Sequence, residues 1–86
     1  MGNINYEKLL VELVKPLVTH PEDIQVSVNA ENEKNTIVSV LVNKDDIGRV
    51  IGKKGRVASS IRTLVYAAAM RYNENVSIEF DANEEN

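Results

Sequence analysis

Cysteine and tryptophan are absent from this 86-residue sequence, which holds one histidine, one phenylalanine and three tyrosines. Without cysteine there is neither a disulfide framework nor a thiolate metal site. That composition fits a reducing compartment, and a cytoplasmic location is expected. His20 has no second histidine to work with, and no serine stands in a nucleophile motif. No catalytic residue, metal site or small-molecule cofactor is therefore expected, and the chain is not read as an enzyme. The shortage of aromatic side chains argues against a surface that stacks successive bases on exposed rings. No apolar run approaches the ~20 residues that cross a bilayer. Met1 to Glu7 also lacks the basic segment and apolar stretch of a signal peptide, so no membrane association is expected. What remains, 43% apolar and 27% charged residues, is the composition of an ordinary globular domain with a single core.

The net charge of −3 speaks against a nucleic-acid partner only until the charges are located. Between Lys44 and Arg62 lie six cations (Lys44, Arg49, Lys53, Lys54, Arg56 and Arg62) against Asp45 and Asp46, a local +4, while the rest of the chain carries −7. Binding follows the local field rather than the total. Hydropathy periodicity then supplies the elements. Tyr6, Leu9, Leu10, Leu13, Val14 and Leu17 recur at helical spacing after Asn3 or Asn5 as cap, with a kink or end expected at Pro16. Ile24, Val26, Val28 and Ala30 alternate with polar residues, as on a strand with one buried face. Glu31 to Asn35 reads as a hairpin turn, and Thr36 to Val42 is apolar enough for a central strand. A short helix carries Ile47, Val50 and Ile51, a second runs from about Arg56 to Tyr72, and Val76, Ile78 and Phe80 mark a last strand. The order α-β-β-α-α-β predicts an α+β fold: a three-stranded mixed sheet with three helices on one face. Its first two strands would be antiparallel, and the last two parallel through a right-handed crossover.

The most informative stretch is the decapeptide Ile47-Gly48-Arg49-Val50-Ile51-Gly52-Lys53-Lys54-Gly55-Arg56. A P-loop would need four residues between its glycines and then lysine and a hydroxyl. Here Gly48 and Gly52 are separated by three, and Lys54 stands where the hydroxyl belongs, so triphosphate hydrolysis is not expected. What remains is a G-x-x-G turn between two helices. Gly52 and Gly55 can take positive φ and admit a sugar-phosphate chain. The following helix offers free amides and the positive end of its dipole. Lys53 and Lys54 supply mobile cations flanked by Arg49 and Arg56, and Ile47, Val50 and Ile51 could form an apolar wall for unstacked bases. The plainer reading is that the two glycines merely end one helix and begin another.

Ile51-Gly52-Lys53-Lys54-Gly55-Arg56 resembles the signature loop of KH domains, and the element order is similar to that of the type II variant. With Val18 to Asp23 and Ile61 to Val65, the whole chain resembles the KhpA family of small free-standing KH proteins of bacteria. The resemblance implies a single type II KH domain over residues 1–81, with an acidic disordered tail at 82–86. It implies single-stranded RNA as partner, bound through Ile47 to Arg56, about four nucleotides at a time. The groove would lie between the short helix with its turn and the central strand, where Ile37 to Leu41 read base edges and the Glu31 to Asn35 turn forms the far wall. It further implies a homodimer, a possible heterodimer with a Jag-like KH protein, and a role as post-transcriptional regulator or RNA chaperone bearing on cell elongation and division. The apolar arc of the long helix is wider than one sheet face needs. Either the first helix covers the surplus, or a second copy does, through Ala58, Ile61, Arg62, Val65, Tyr66 and Ala69. The alternative function is a protein-interaction subunit whose KH fold is chiefly an assembly surface. His20 is expected to close the first helix against its dipole.

Overall fold

The computed structural model describes residues 4–32 and 35–83. Asn5 opens helix α1 (Tyr6–Val14): its Oδ1 accepts from the Lys8 amide at 3.0 Å, the cap expected of asparagine. Asn3, the other candidate cap, lies outside the described residues. Pro16 stops the α-helix as expected, and a 3-10 turn over Lys15–Leu17 follows. A second 3-10 turn, Pro21–Asp23, leads into β1 (Gln25–Ala30), which pairs antiparallel with β2 (Asn35–Asn43). Helix α2 (Ile47–Ile51), a 3-10 turn at Lys53–Gly55 and helix α3 (Arg56–Met70) cross back to β3 (Asn75–Asn83). That strand lies parallel to β2, giving the sheet order β1-β2-β3. The fold is thus α+β with a three-stranded mixed sheet.

The register sorts the side chains. Val38, Val40 and Val42 of β2 and Ile78 of β3 are buried with Leu10 and Val14 of α1, Val50 of α2 and Val65 of α3. Fully burying each such aliphatic side chain contributes about 1.5–3 kcal/mol over leaving it exposed. Helix α3 ends where Asn73 takes φ 60°, with Glu74 N–H donating to Ala69 O at 3.1 Å and Asn73 N–H to Met70 O at 3.1 Å. This left-handed cap satisfies carbonyls of the last turn. The Tyr6 hydroxyl donates to the Glu74 carboxylate and ties the start of α1 to the α3–β3 connection.

Three expectations change. Ala58, Ile61, Val65 and Ala69 of α3, expected at a dimer contact, are inside the single chain's own core, because this stripe faces the sheet. Of that set only Arg62 and Tyr66 keep partial exposure. On β1 the inward face is only partly covered: Val26 is half-buried, but Val28 is 44% exposed and Ala30 is exposed. Alternation tells which side faces the helices but not how far they cover it: α1 packs on this edge strand, and burial fades from Val26 to Ala30. The last strand outruns residue 81, because β2 still offers partners at Val42↔Ala82 and Asn43↔Asn83. The remainder of the expected tail, 84–86, lies outside the described residues, as do 33–34 of the hairpin turn.

Candidate nucleic-acid interface

Helix α2 has five residues, and they divide cleanly. Val50 is fully buried, Ile47 and Ile51 are half-buried, and Gly48 and Arg49 face solvent. Val50 therefore belongs to the core and not to a wall for bases; Ile47 and Ile51 keep that possibility. The helix ends at Gly52, whose amide donates to Gly48 O at 2.8 Å. Gly52 has φ 79° and ψ 172°, a region open in practice to glycine alone. A Cβ there would also stand 2.7 Å from Val57 Cβ and 2.9 Å from Val57 N. The chain turns back through Gly55 N–H to Gly52 O at 3.1 Å, with Gly55 left-handed at φ 74° and ψ 13°.

Between them Lys54 is also left-handed, at φ 57° and ψ 26°, which costs a residue with a Cβ about 1–2 kcal/mol. Lys53, Lys54 and Arg56 are exposed, and among the described residues none of them enters an ion pair. The turn adjoins the N-terminus of the 15-residue α3, where no side chain caps the helix. The positive dipole end and three exposed cations together favour a negatively charged group there. Arg49 is partly engaged, its Nε 3.6 Å from Asp46 Oδ1. Arg62 sits elsewhere: Nε donates to Ile78 O at 3.2 Å and the guanidinium lies 5.2 Å over the Phe80 ring. It fastens α3 to β3 rather than joining the turn's cations.

Helix α2 packs on α3 and β3, and its Val50 joins the buried cluster that holds Val38, Val40 and Val42 of β2. Val38 and Val40 of β2 are buried, while Ile37, Ser39 and Leu41 lie in register with Ser77, Glu79 and Asp81 of β3 on the opposite face of the sheet. Glu31 and Asn32, bonded to Asn35, are at the opposite end of β2 from the α2 connection. A shallow depression of about 240 Å³ is found at the far end of α3, lined by Tyr66, Ala69, Met70, Glu74, Asn75 and Val76.

Asp46 is the residue that sequence reasoning undervalued. It stands at the N-cap of α2 but makes no side-chain bond to that helix. Its fully buried carboxylate accepts from Thr19 N–H at 2.9 Å, Thr19 Oγ1–H at 2.8 Å and His20 N–H at 3.0 Å. Burial alone would raise this carboxyl, but the Thr19 and His20 donors outweigh it and hold it below the usual range. A carboxylate before a short apolar turn reads as a cap, and nothing local reveals a partner 26 or 27 residues away. The His20 ring lies 3.7 Å from Glu22 Oε2 and 3.8 Å from Asp45 Oδ2, so it meets carboxylates rather than the end of α1. Ligand atoms of His20, Glu22 and Asp23 fall within 4.8 Å of one another. Asp23 there already accepts a bond from Asn43 Nδ2 at 2.9 Å.

No helix among the described residues is long and apolar enough to cross a membrane. The family model described as KhpA/KhpB, KH domain, matches residues 7–80. The chain is 44% identical over 73 residues to the RNA-binding protein KhpA of Listeria monocytogenes, covering 85% of this chain and 95% of that one. It is 42% identical over 79 residues to the RNA-binding protein KhpA of Bacillus subtilis, covering 92% and 96%. With the RNA-binding protein KhpA of Clostridium perfringens the figures are 45% over 73 residues, covering 84% and 96%.

Proposed function

The chain belongs to the KhpA/KhpB family of KH domains, and from that membership we propose that it binds single-stranded RNA through the Gly52-Lys53-Lys54-Gly55 turn. The observation that carries the reading is the turn itself. Two positive-φ glycines and a left-handed lysine hold exposed, unpaired cations at the start of α3. Gly52 and Gly55 allow the sugar-phosphate backbone to approach, Lys53 and Lys54 meet neighbouring phosphates, and Arg49 and Arg56 extend the positive field. Ile47 and Ile51 support bases beside the turn, and Gly48 keeps that face low. The relatives' names speak of RNA binding and of no reaction, and no catalytic step is assigned to this chain.

A module holding about four nucleotides through two or three phosphate contacts binds at about micromolar strength. Affinity of that order gains from a second module, since linked sites raise the effective concentration. We therefore place the protein in a pair, with a second copy or a Jag-like KH protein. The surface open to a partner is the outer side of α3 and its end, where Leu64 is 60%, Met70 77% and Tyr72 48% exposed. The cellular setting, post-transcriptional control bearing on cell elongation and division, rests on the family resemblance alone.

The test is a double charge reversal, Lys53→Asp with Lys54→Asp, measured by fluorescence anisotropy with a labelled single-stranded RNA. RNA affinity should fall at least tenfold and lose salt dependence, at about 0.7 in slope per phosphate contact removed. The thermal midpoint should stay within a degree or two, since both side chains are exposed. Undiminished RNA affinity would sink the clamp and leave the fold as an assembly surface.

A further inference from the structure

We propose that Asp46 is a positioning residue for the RNA-binding turn: by tying the start of α2 to the Thr19–His20 segment, its buried carboxylate fixes the orientation in which α2 presents Gly52 to Gly55. The inference rests on the reading of that turn as the RNA clamp and adds the device that aims it. A helix of five residues is far below the ~12–15 at which helices become even marginally stable alone. Its direction is therefore set by what holds its two ends. The C-terminal end passes straight into Gly52. The N-terminal end is Asp46, whose carbonyl accepts from Arg49 N–H at 3.0 Å and Val50 N–H at 3.1 Å.

A residue in this position ordinarily turns its side chain onto the amides of its own helix. Asp46 turns away and collects three donors from one distant segment. Those bonds are directional, whereas the burial of Val50 holds α2 down without fixing its rotation. The same carboxylate lies 3.6 Å from the Arg49 guanidinium, whose side chain is 61% exposed, so it also orients a cation beside the turn. Because the carboxylate is fully buried, losing a donor leaves part of a charge unsatisfied, and the anchor behaves as a unit.

The Thr19 hydroxyl allows a gentle test, since Thr19→Val keeps the shape and both amide donors while removing one bond. The full-length protein is compared with Thr19→Val, Thr19→Ser and Asp46→Asn, using a fluorescein-labelled single-stranded RNA 12-mer and amide spectra of the free proteins. Far-UV circular dichroism first establishes that each variant is folded. Thr19→Val should bind about threefold and Asp46→Asn about tenfold more weakly, with a shallower salt slope, and Thr19→Ser should restore binding. In the free protein, the amides of Lys53, Lys54 and Gly55 should shift in Thr19→Val, although Thr19 bonds to none of them. A purely structural role predicts a lower unfolding midpoint with unchanged affinity, salt slope and turn amides; that outcome overturns the proposal. If Asp46→Asn fails to fold, Thr19→Val decides alone. Should the unmutated protein not bind RNA while Thr19→Val still moves the turn amides, the clamp reading falls and the positioning role stands.

Discussion

Alanine placed at each of the three glycines around the turn should give three different results. At Gly52, φ 79° and ψ 172° cost a side-chain-bearing residue about 1–3 kcal/mol. The new Cβ would lie 2.7 Å from Val57 Cβ and 2.9 Å from Val57 N, and since backbone cannot swing aside, overpacking adds about 1–3 kcal/mol. A chain of this length has a total stability of about 4–13 kcal/mol. Gly52→Ala thus removes a large share of it. With a urea slope near 1–2 kcal/mol per molar for a small domain, its midpoint should fall by about 2 M. Gly55 has φ 74° but open space around its Cβ position, so Gly55→Ala meets only the left-handed cost, about 1–2 kcal/mol. Gly48 is helical, exposed and also faces open space. There alanine should stabilise by about 0.5–1 kcal/mol through helix propensity. Urea unfolding followed by far-UV circular dichroism should rank Gly48→Ala above the unmodified protein, then Gly55→Ala, then Gly52→Ala. If Gly52→Ala proves no weaker than Gly55→Ala, the close approach of Val57 is not a real constraint. Gly48→Ala carries a second reading: fold intact and RNA affinity reduced would assign Gly48 to the contact surface, while unchanged affinity would remove it.

Ile61→Asp would place a carboxylate where the side chain is 5% exposed in the core, an uncompensated charge worth at least about 3–5 kcal/mol. The variant should be largely unfolded by circular dichroism; a folded monomer would return that face of α3 to an interface role. Stability should also fall at both ends of the pH range. Asp46 is held below its ordinary range, so its contribution is present above about pH 4 and is lost as pH drops through the folded value. Tyr6 is pushed above its ordinary range by burial, by its bond to Glu74 and by that charge. Its contribution is present below about pH 10 and lost as pH rises beyond it. Chemical denaturation across pH, repeated on Asp46→Asn and Tyr6→Phe, checks each limb, and a limb that survives its substitution has another cause.

The sequence disclosed most where a local rule has one solution. A nearly continuous apolar and β-branched run suits the doubly flanked strand, and β2 is that strand. Glycine spacing and the cations between placed the turn between α2 and α3 without help from tertiary structure. Legibility failed where the answer depends on what lies opposite. Periodicity gave α3 a wide apolar arc but not how many surfaces share it, so core residues such as Val65 passed for an interface. It gave β1 an inward side but not its cover, and Val28 is 44% exposed there. Counting charge assigned Arg62 to the binding field, whereas its bond to Ile78 O and contact with Phe80 are long-range facts. The Asp46 anchor joins segments distant in sequence, and only folding brings them together.

One residue separates a binding turn from a mere junction between helices. Gly52 and Gly55 are explained by backbone geometry alone, because φ 79° and φ 74° are positions where glycine costs least. Lys54 is not so explained. It holds φ 57° between them, where glycine would be more relaxed by about 1–2 kcal/mol, and its exposed side chain takes part in no ion pair among the described residues. No ion pair among the described residues rewards a lysine there. Local strain that the structure maintains without a packing return is typical of sites shaped for a ligand, and an extended cation beside a second one, at the mouth of a helix, suits a polyanion. Lys54 therefore favours the clamp over the junction for a reason that neither glycine can supply.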